Sequence, residues 1–340
     1  MYENAEETGL SGEGIGLSAS GNNSFAGEQE VNMAITAKQV ADLRAKTGCG
    51  MMECKKALTE AEGNMDEAIK LLREKGLNVA AKKADRIAAE GVVDILRSED
   101  GKSAAMIEVN AETDFVAKND EFKHFVKGVL RTILAERPAD VEALKACKFD
   151  GTDDTVADVL IQKIAVIKEN IKIRRFMVVD GIMSTYIHGN GQTGVIVTFD
   201  TTEEIAAAPA FAEVSKNVAL QVAAMNCTYT NRADVPESAI AEEKEIIMTQ
   251  LKNDPKNASK PQQIIEKMVT GKLGKFYETY CLSDQLYVKD DSMTVEKYLD
   301  TEAKKLGGSI KLRMFYRYEK GEGLQKREDN FAEEIADLMK

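Results

Sequence analysis

Apolar residues in the N-terminal part of the chain recur at helical spacing. Between residues 33 and 78 the pattern is broken twice by glycine-containing turns, which predicts three short helices. Thr36 and Asn64 are suitable N-caps for the first and third helices, and Gly76 is predicted to end the third. We expect this three-helix domain to be a docking module, joined to the rest of the chain by a helical linker at residues 79–90.

The middle of the chain combines strand-like and helix-like patterns. Short apolar or alternating runs, bounded by turns, predict strands at residues 91–96, 104–110, 174–179, 182–188 and 194–199. Helical spacing follows the second strand and the fifth. Two hairpin-plus-helix units in succession predict an α+β core of two related subdomains with antiparallel sheets, at residues 91–170 and 171–319.

Two helical features lie in the last third of the chain. Residues 237–280 contain two helical patterns separated by a proline-containing turn, which predicts a helical hairpin arm within the second subdomain. Residues 320–340 begin with a glycine-rich break and end in an amphipathic C-terminal helix. That helix is suited either to dock on another protein or to pack on its own chain, and the pattern leaves both alternatives open.

The corner between the second predicted strand and the following helix places an acid beside an aromatic residue. Thr113 is predicted to cap the helix through its hydroxyl, and Asp114 lies in the first turn, where the helix dipole favours a carboxylate. Phe115 belongs to the same turn and has two interpretations. It is either the first core residue of the helix, which apolar spacing alone favours, or an exposed group.

Charge is distributed unevenly along the 340 residues. Residues 1–32 contain six Glu and no Lys, Arg or Asp, and they lack periodic apolar positions, which predicts a disordered acidic leader. Met33 then resembles an alternative start of the structured protein. The leader carries half of the net charge of −12. An acidic chain without clustered Lys and Arg is a poor binder of phosphate backbones, so we expect no direct nucleic-acid partner.

The residue types needed for covalent catalysis or metal binding are sparse. The five cysteines are scattered, and Cys49 and Cys54 have no second nearby pair to complete a zinc site, so we expect packing thiols. Neither His124 nor His188 has a cysteine nearby in sequence with which to form a catalytic dyad. No apolar run reaches the roughly 18 residues of a membrane span, and no signal peptide is evident. These patterns predict a cytoplasmic interaction protein that is not an enzyme, with no metal or cofactor.

Two ordered motifs carry a resemblance to a known family. Residues 47–58 read TGCGMMECKKAL and residues 113–118 read TDFVAK, and weaker support comes from residues 171–175 and 267–272. With these motifs the chain resembles bacterial translation elongation factor Ts over residues 33–340. The resemblance implies a ubiquitin-associated (UBA)-like N-terminal domain, the two-subdomain core, the helical hairpin and the C-terminal helix.

The resemblance also implies a function. Members of this family are guanine nucleotide exchange factors that bind elongation factor Tu and promote release of its GDP. Carried over to this chain, Asp114 and Phe115 enter the partner's GTPase domain and disturb its magnesium site, and Thr113 and Val116 shape the corner that presents them.

Further partner contacts are implied outside that corner. They are Arg44, Met51, Met52 and Lys55 in the N-terminal domain, Gln221 in the core, and Phe331 and Ile335 in the closing helix. Gln221 departs from the family pattern, because well-known members have a histidine there, and a glutamine cannot become charged. An alternative function is a protein-interaction adaptor that acts through the UBA-like module.

Overall fold

The N-terminal domain consists of three helices packed around a small core. The computed structural model describes residues 35–225, 227–257 and 260–325, so the leader and the closing helix lie outside the described residues. The helices are α1 (Ala37–Thr47), α2 (Met51–Glu60) and α3 (Met65–Lys83). Thr36 caps α1 in a capping box with Gln39, and the Asn64 side chain accepts hydrogen bonds at the start of α3, as predicted.

Helix α3 is longer than predicted. It does not end at Gly76 but continues to Lys83, into the first part of the predicted linker. Gly76 packs against α7 (Val156–Ile167), where an added Cβ would lie 3.3 Å from Cγ2 of Ile161. The glycine therefore serves close helix packing instead of a helix end, and the N-terminal domain rests on the core.

The first core subdomain is a three-stranded antiparallel sheet covered by helices. Its strands, in the order β1-β2-β3, are β1 (Glu90–Arg97), β2 (Ser103–Ala111) and β3 (Lys172–Asp180). The covering helices are α4 (Asp114–Lys118), α5 (Asp120–Glu136), α6 (Val141–Ala146) and α7. Because β3 pairs with β2, the first subdomain extends to Asp180, and the predicted boundary at residue 170 is wrong.

The second core subdomain has the same general plan. Its antiparallel sheet has the order β4-β5-β8, formed by β4 (Met183–His188), β5 (Thr193–Asp200) and β8 (Lys311–Glu319). Its helices are α8 (Glu203–Ala206), α9 (Pro209–Ala224) and α12 (Val295–Lys305). A short hairpin of β6 (Leu286–Tyr287) and β7 (Asp290–Thr294) precedes α12. The helical hairpin arm, α10 (Glu237–Asn253) and α11 (Gln262–Tyr280), is confirmed.

The two core sheets pack face to face. Val93 and Met106 from the first sheet share an apolar cluster with Ile196 and Tyr318 from the second. Gly194 lies at the closest approach, where an added Cβ would be 2.5 Å from a methyl group of Val93. Strand β2 is therefore buried on both faces, which explains its nearly uninterrupted apolar sequence. The predicted α+β class is confirmed.

Candidate functional site

The corner of residues 113–116 connects the end of β2 to two helices instead of one. Helix α4 has only five residues and ends at Lys118, and the following Asn119 has an extended backbone conformation. The Asn119 side chain accepts a hydrogen bond from the N–H of Glu121 at 2.7 Å and so caps α5. The break separates the corner from the long core helix.

Thr113 positions the corner through a contact that sequence did not predict. Its hydroxyl makes no helix-capping hydrogen bond, so that prediction is wrong. Instead the Thr113 N–H and Oγ1 both donate to the carboxylate of Glu169, at 3.0 and 2.7 Å. Glu169 lies in the connection between α7 and β3, and the neighbouring Asn170 N–H donates to Glu112 at 2.6 Å. Glu112 and Thr113, at the start of the corner, are therefore held in place by two residues that are distant in sequence, Glu169 and Asn170.

Phe115 and Val116 have opposite environments. Val116 is buried in the core of the first subdomain, whereas the Phe115 side chain is 78% exposed. The interpretation of Phe115 as a core residue is therefore wrong. Lys118 lies beside the ring, with its Nζ 5.7 Å from the ring centroid. Because no core packing explains an exposed phenylalanine, it is a candidate for contact with another molecule.

Asp114 carries a negative charge next to this ring. It is exposed and accepts a hydrogen bond from Lys118 Nζ at 2.6 Å, which lowers the pKa of Asp114 below its usual value. Since Asp114, Phe115 and Lys118 lie within one short helix, the corner presents an aromatic ring, a carboxylate and an ammonium group together. This combination of an apolar ring and two charged groups suits binding to a protein surface.

A second exposed surface lies on the N-terminal domain. Met51 and Met52 are 49% and 66% exposed at the start of α2, and Arg44 and Lys55 are also exposed. The loop that follows α7 lies close to both this surface and the corner. In that loop, Nζ of Lys168 lies 3.8 Å from Oε1 of Glu53 in α2. The next residue, Glu169, accepts the hydrogen bond from the Thr113 hydroxyl at the corner.

Gln221 is placed differently from its prediction. It is fully buried in this structure, and its side chain is not displayed at the surface, so the direct partner contact stays a prediction. Its Nε2 donates to the backbone oxygen of Leu286 at 3.1 Å, and its Oε1 accepts from the N–H of Val288 at 2.8 Å. Leu286 and Val288 are themselves about half exposed. Gln221 therefore fixes a loop that displays two apolar side chains, and sequence reasoning missed both of them.

Comparison with known proteins shows the family. The family model described as Elongation factor TS matches residues 112–322, most of the chain. The chain belongs to the elongation factor Ts family. It is 45% identical over 315 residues to elongation factor Ts of Syntrophotalea carbinolica, covering 91% of this chain and all of the relative. It is also 45% identical to elongation factor Ts of Clostridium perfringens, covering 89% of this chain and 99% of the relative.

Membership in the elongation factor Ts family places the chain in translation elongation. The matched region begins at the corner and ends beyond the last core strand. Phe331 and Ile335, which the resemblance implies as contacts, lie outside the described residues.

Cys49 and Cys54 are both buried in the N-terminal core, which confirms the expectation of packing thiols. Burial raises the pKa of the Cys49 thiol. Within residues 35–225, 227–257 and 260–325, no group of three or more His, Cys, Asp or Glu side chains could hold a metal ion. Over the same residues, no helix combines the length and apolar character needed to cross a membrane.

Proposed function

We propose that this chain is a guanine nucleotide exchange factor that binds GDP-bound elongation factor Tu in the cytoplasm and accelerates release of the GDP. Two observations support the proposal: membership in the elongation factor Ts family and the geometry of the corner. The observation that carries the proposal is the exposure of Phe115 at a corner that Glu169 holds in place. The ring is available to a partner, and the core does not depend on its packing.

The proposed mechanism is binding without covalent chemistry. Asp114 and Phe115 enter the partner's GTPase domain, with Thr113 and Val116 fixing their backbone. Mg²⁺ requires near-ideal octahedral geometry with ligand distances of roughly 2.0–2.1 Å. Displacing partner side chains near the ion therefore weakens its hold on the nucleotide phosphates.

Phe115 cannot supply the whole effect. A roughly 10⁴-fold faster release requires about 5.5 kcal/mol, whereas full burial of one phenylalanine side chain contributes about 1.5–3 kcal/mol. The exposed surface of α2 and the loop fixed by Gln221 provide further apolar groups for the same partner. We propose that these surfaces hold the partner while the corner perturbs the magnesium site.

The exchange proposal is tested by the release of fluorescent GDP from purified elongation factor Tu, with and without this protein. Exchange is a coupling between two ligands, so GDP must weaken binding of this protein as much as this protein weakens binding of GDP. We expect accelerated release together with this reciprocal effect.

An adaptor that acts through the N-terminal domain is the second candidate, because Met51 and Met52 are exposed side by side. Binding to elongation factor Tu without acceleration of GDP release would favour this adaptor function and reject exchange.

A further inference from the structure

An apolar groove runs along the side of the core where the N-terminal domain joins it. It has a volume of about 740 Å³ and lies between the end of α3, residues 84–88, α7 and β3. Leu77 and Ile87 line it and are 49% and 43% exposed, although both are large apolar side chains. Such a groove favours an occupant with an apolar face.

The chain itself leads into this groove. Leu324 and Gln325, the last two described residues, are among its lining residues. Their path is set just upstream, where the Gly321 N–H donates to the buried carboxylate of Glu108 at 2.8 Å. Gly321 has a φ of +70°, and an added Cβ would lie 2.5 Å from the backbone oxygen of Ala89. The backbone is therefore fixed in place immediately before it reaches the groove.

The sequence that follows matches the groove in polarity and charge. Phe331, Ile335 and Leu338 recur at helical spacing and define one apolar stripe. Residues 328–339 contain five acidic residues and no basic residue. The charged residues that line the groove are the acidic Asp85 and the basic Arg86, Lys145, Lys172 and Arg174. Three of the four basic side chains also pair with carboxylates that do not line the groove, those of Glu112, Glu142 and Glu108, which leaves Lys172 as the main basic group for an acidic occupant. An acidic amphipathic segment is therefore complementary to this groove.

We propose that residues 328–339 form an amphipathic helix that binds in this groove in the free protein, with Phe331, Ile335 and Leu338 on its apolar floor. Twelve helical residues span about 18 Å, and only two residues separate the segment from Gln325. The groove is therefore a docking site for the C-terminal segment of the same chain. The proposal concerns the free protein and does not depend on exchange activity.

Disulfide trapping in the full-length chain tests the proposal. Cysteine is introduced at Ile335, in the middle of the apolar stripe, and paired with Leu77→Cys or Ile87→Cys. Cys147, which is partly exposed, is replaced by serine in every variant. The matched control moves the C-terminal cysteine to Glu333, which lies on the opposite side of the predicted helix. Each protein is oxidised with glutathione disulfide at low concentration, and cross-linked peptides are identified by mass spectrometry.

We expect an intramolecular disulfide from Ile335→Cys to at least one groove position, formed at least tenfold faster than from Glu333→Cys. Circular dichroism melting of each reduced variant establishes that the fold is retained. Equal rates for the two positions, or no intramolecular disulfide from Ile335→Cys, would overturn the proposal. Disulfides formed mainly between molecules would also overturn it and would assign the groove to a second copy of the chain.

Discussion

Glu108 is a fully buried carboxylate that links β2 to two other parts of the chain. It accepts hydrogen bonds from Arg174 at 2.9 Å, from Arg175 at 2.7 Å and from the N–H of Gly321 at 2.8 Å. A β-bulge at this point of the β2–β3 pairing brings both arginines to one carboxylate. Burial alone would raise the pKa of Glu108, but the hydrogen bonds from Gly321 and the arginines outweigh it and lower the pKa.

The substitution Glu108→Gln is expected to destabilise the fold. The amide keeps the shape of the side chain but leaves two arginines without their buried anion, which costs about 2–3 kcal/mol of unfolding free energy. Urea denaturation measures this loss. The control Glu142→Gln removes an acid that is 81% exposed and paired with Lys145, and we expect a much smaller effect. Equal effects of the two substitutions would contradict the role assigned to Glu108.

The same carboxylate predicts a pH dependence. Because the hydrogen bonds hold the folded pKa of Glu108 below its usual value of 4.5, its stabilisation is present above about pH 4.5 and is lost as the pH falls through the folded pKa. Urea unfolding of the wild type and Glu108→Gln should therefore differ most near neutral pH and converge in acid. Asp180, whose pKa Arg137 and Ser103 lower to about 2, contributes equally to both proteins. A difference independent of pH would contradict this assignment.

Gln221 is expected to act through stability and loop position. Replacement by alanine leaves the buried Oε1 of Gln285 and the partly buried N–H of Val288 without their Gln221 partner, which costs about 1–3 kcal/mol. Thermal melting and partner binding should both decline, because Leu286 and Val288 are no longer held in place. Weaker binding with an unchanged melting temperature would instead support a direct contact.

At the scale of elements, local patterns predicted helices and strands but not their long-range partners. Apolar spacing identified the three N-terminal helices and the helical hairpin, because one face of each helix is buried. The spacing could not show that Gly76 packs on Ile161, or that β3 pairs with β2, since both facts depend on segments distant in sequence. Likewise, the motif around Phe115 located the candidate site. It could not show the hydrogen bond from Thr113 to Glu169, because these two residues are 56 positions apart.

Loss of the Glu169 contact should slow exchange and also lower the free energy of unfolding. Glu169→Ala removes two hydrogen bonds that hold the corner, worth roughly 1–2 kcal/mol together, which corresponds to roughly tenfold in rate. The measurement is the rate of GDP release from elongation factor Tu, with melting recorded in parallel. Lys168→Gln alters the adjacent residue, whose side chain makes an exposed ion pair with Glu53, and should change the rate little. Equal rates for both variants would argue against a positioning role.

At the scale of the whole molecule, the proposed contacts lie on three separate elements. The corner belongs to the first subdomain, the methionine surface to the N-terminal domain, and the loop held by Gln221 to the second subdomain. Packing of the two sheets and of α3 on α7 fixes these elements in one body. We therefore propose that a distributed surface provides binding and that the corner provides nucleotide release.

The rate of GDP release from elongation factor Tu at saturating concentrations of this protein tests that division most directly. Phe115→Ala should lower the saturating rate at least tenfold while leaving melting near that of the wild type, because the side chain is 78% exposed. Ile264→Ala, which truncates a half-exposed apolar residue on the hairpin arm, is the matched control and should leave the rate unchanged. An unchanged saturating rate for Phe115→Ala would contradict the account.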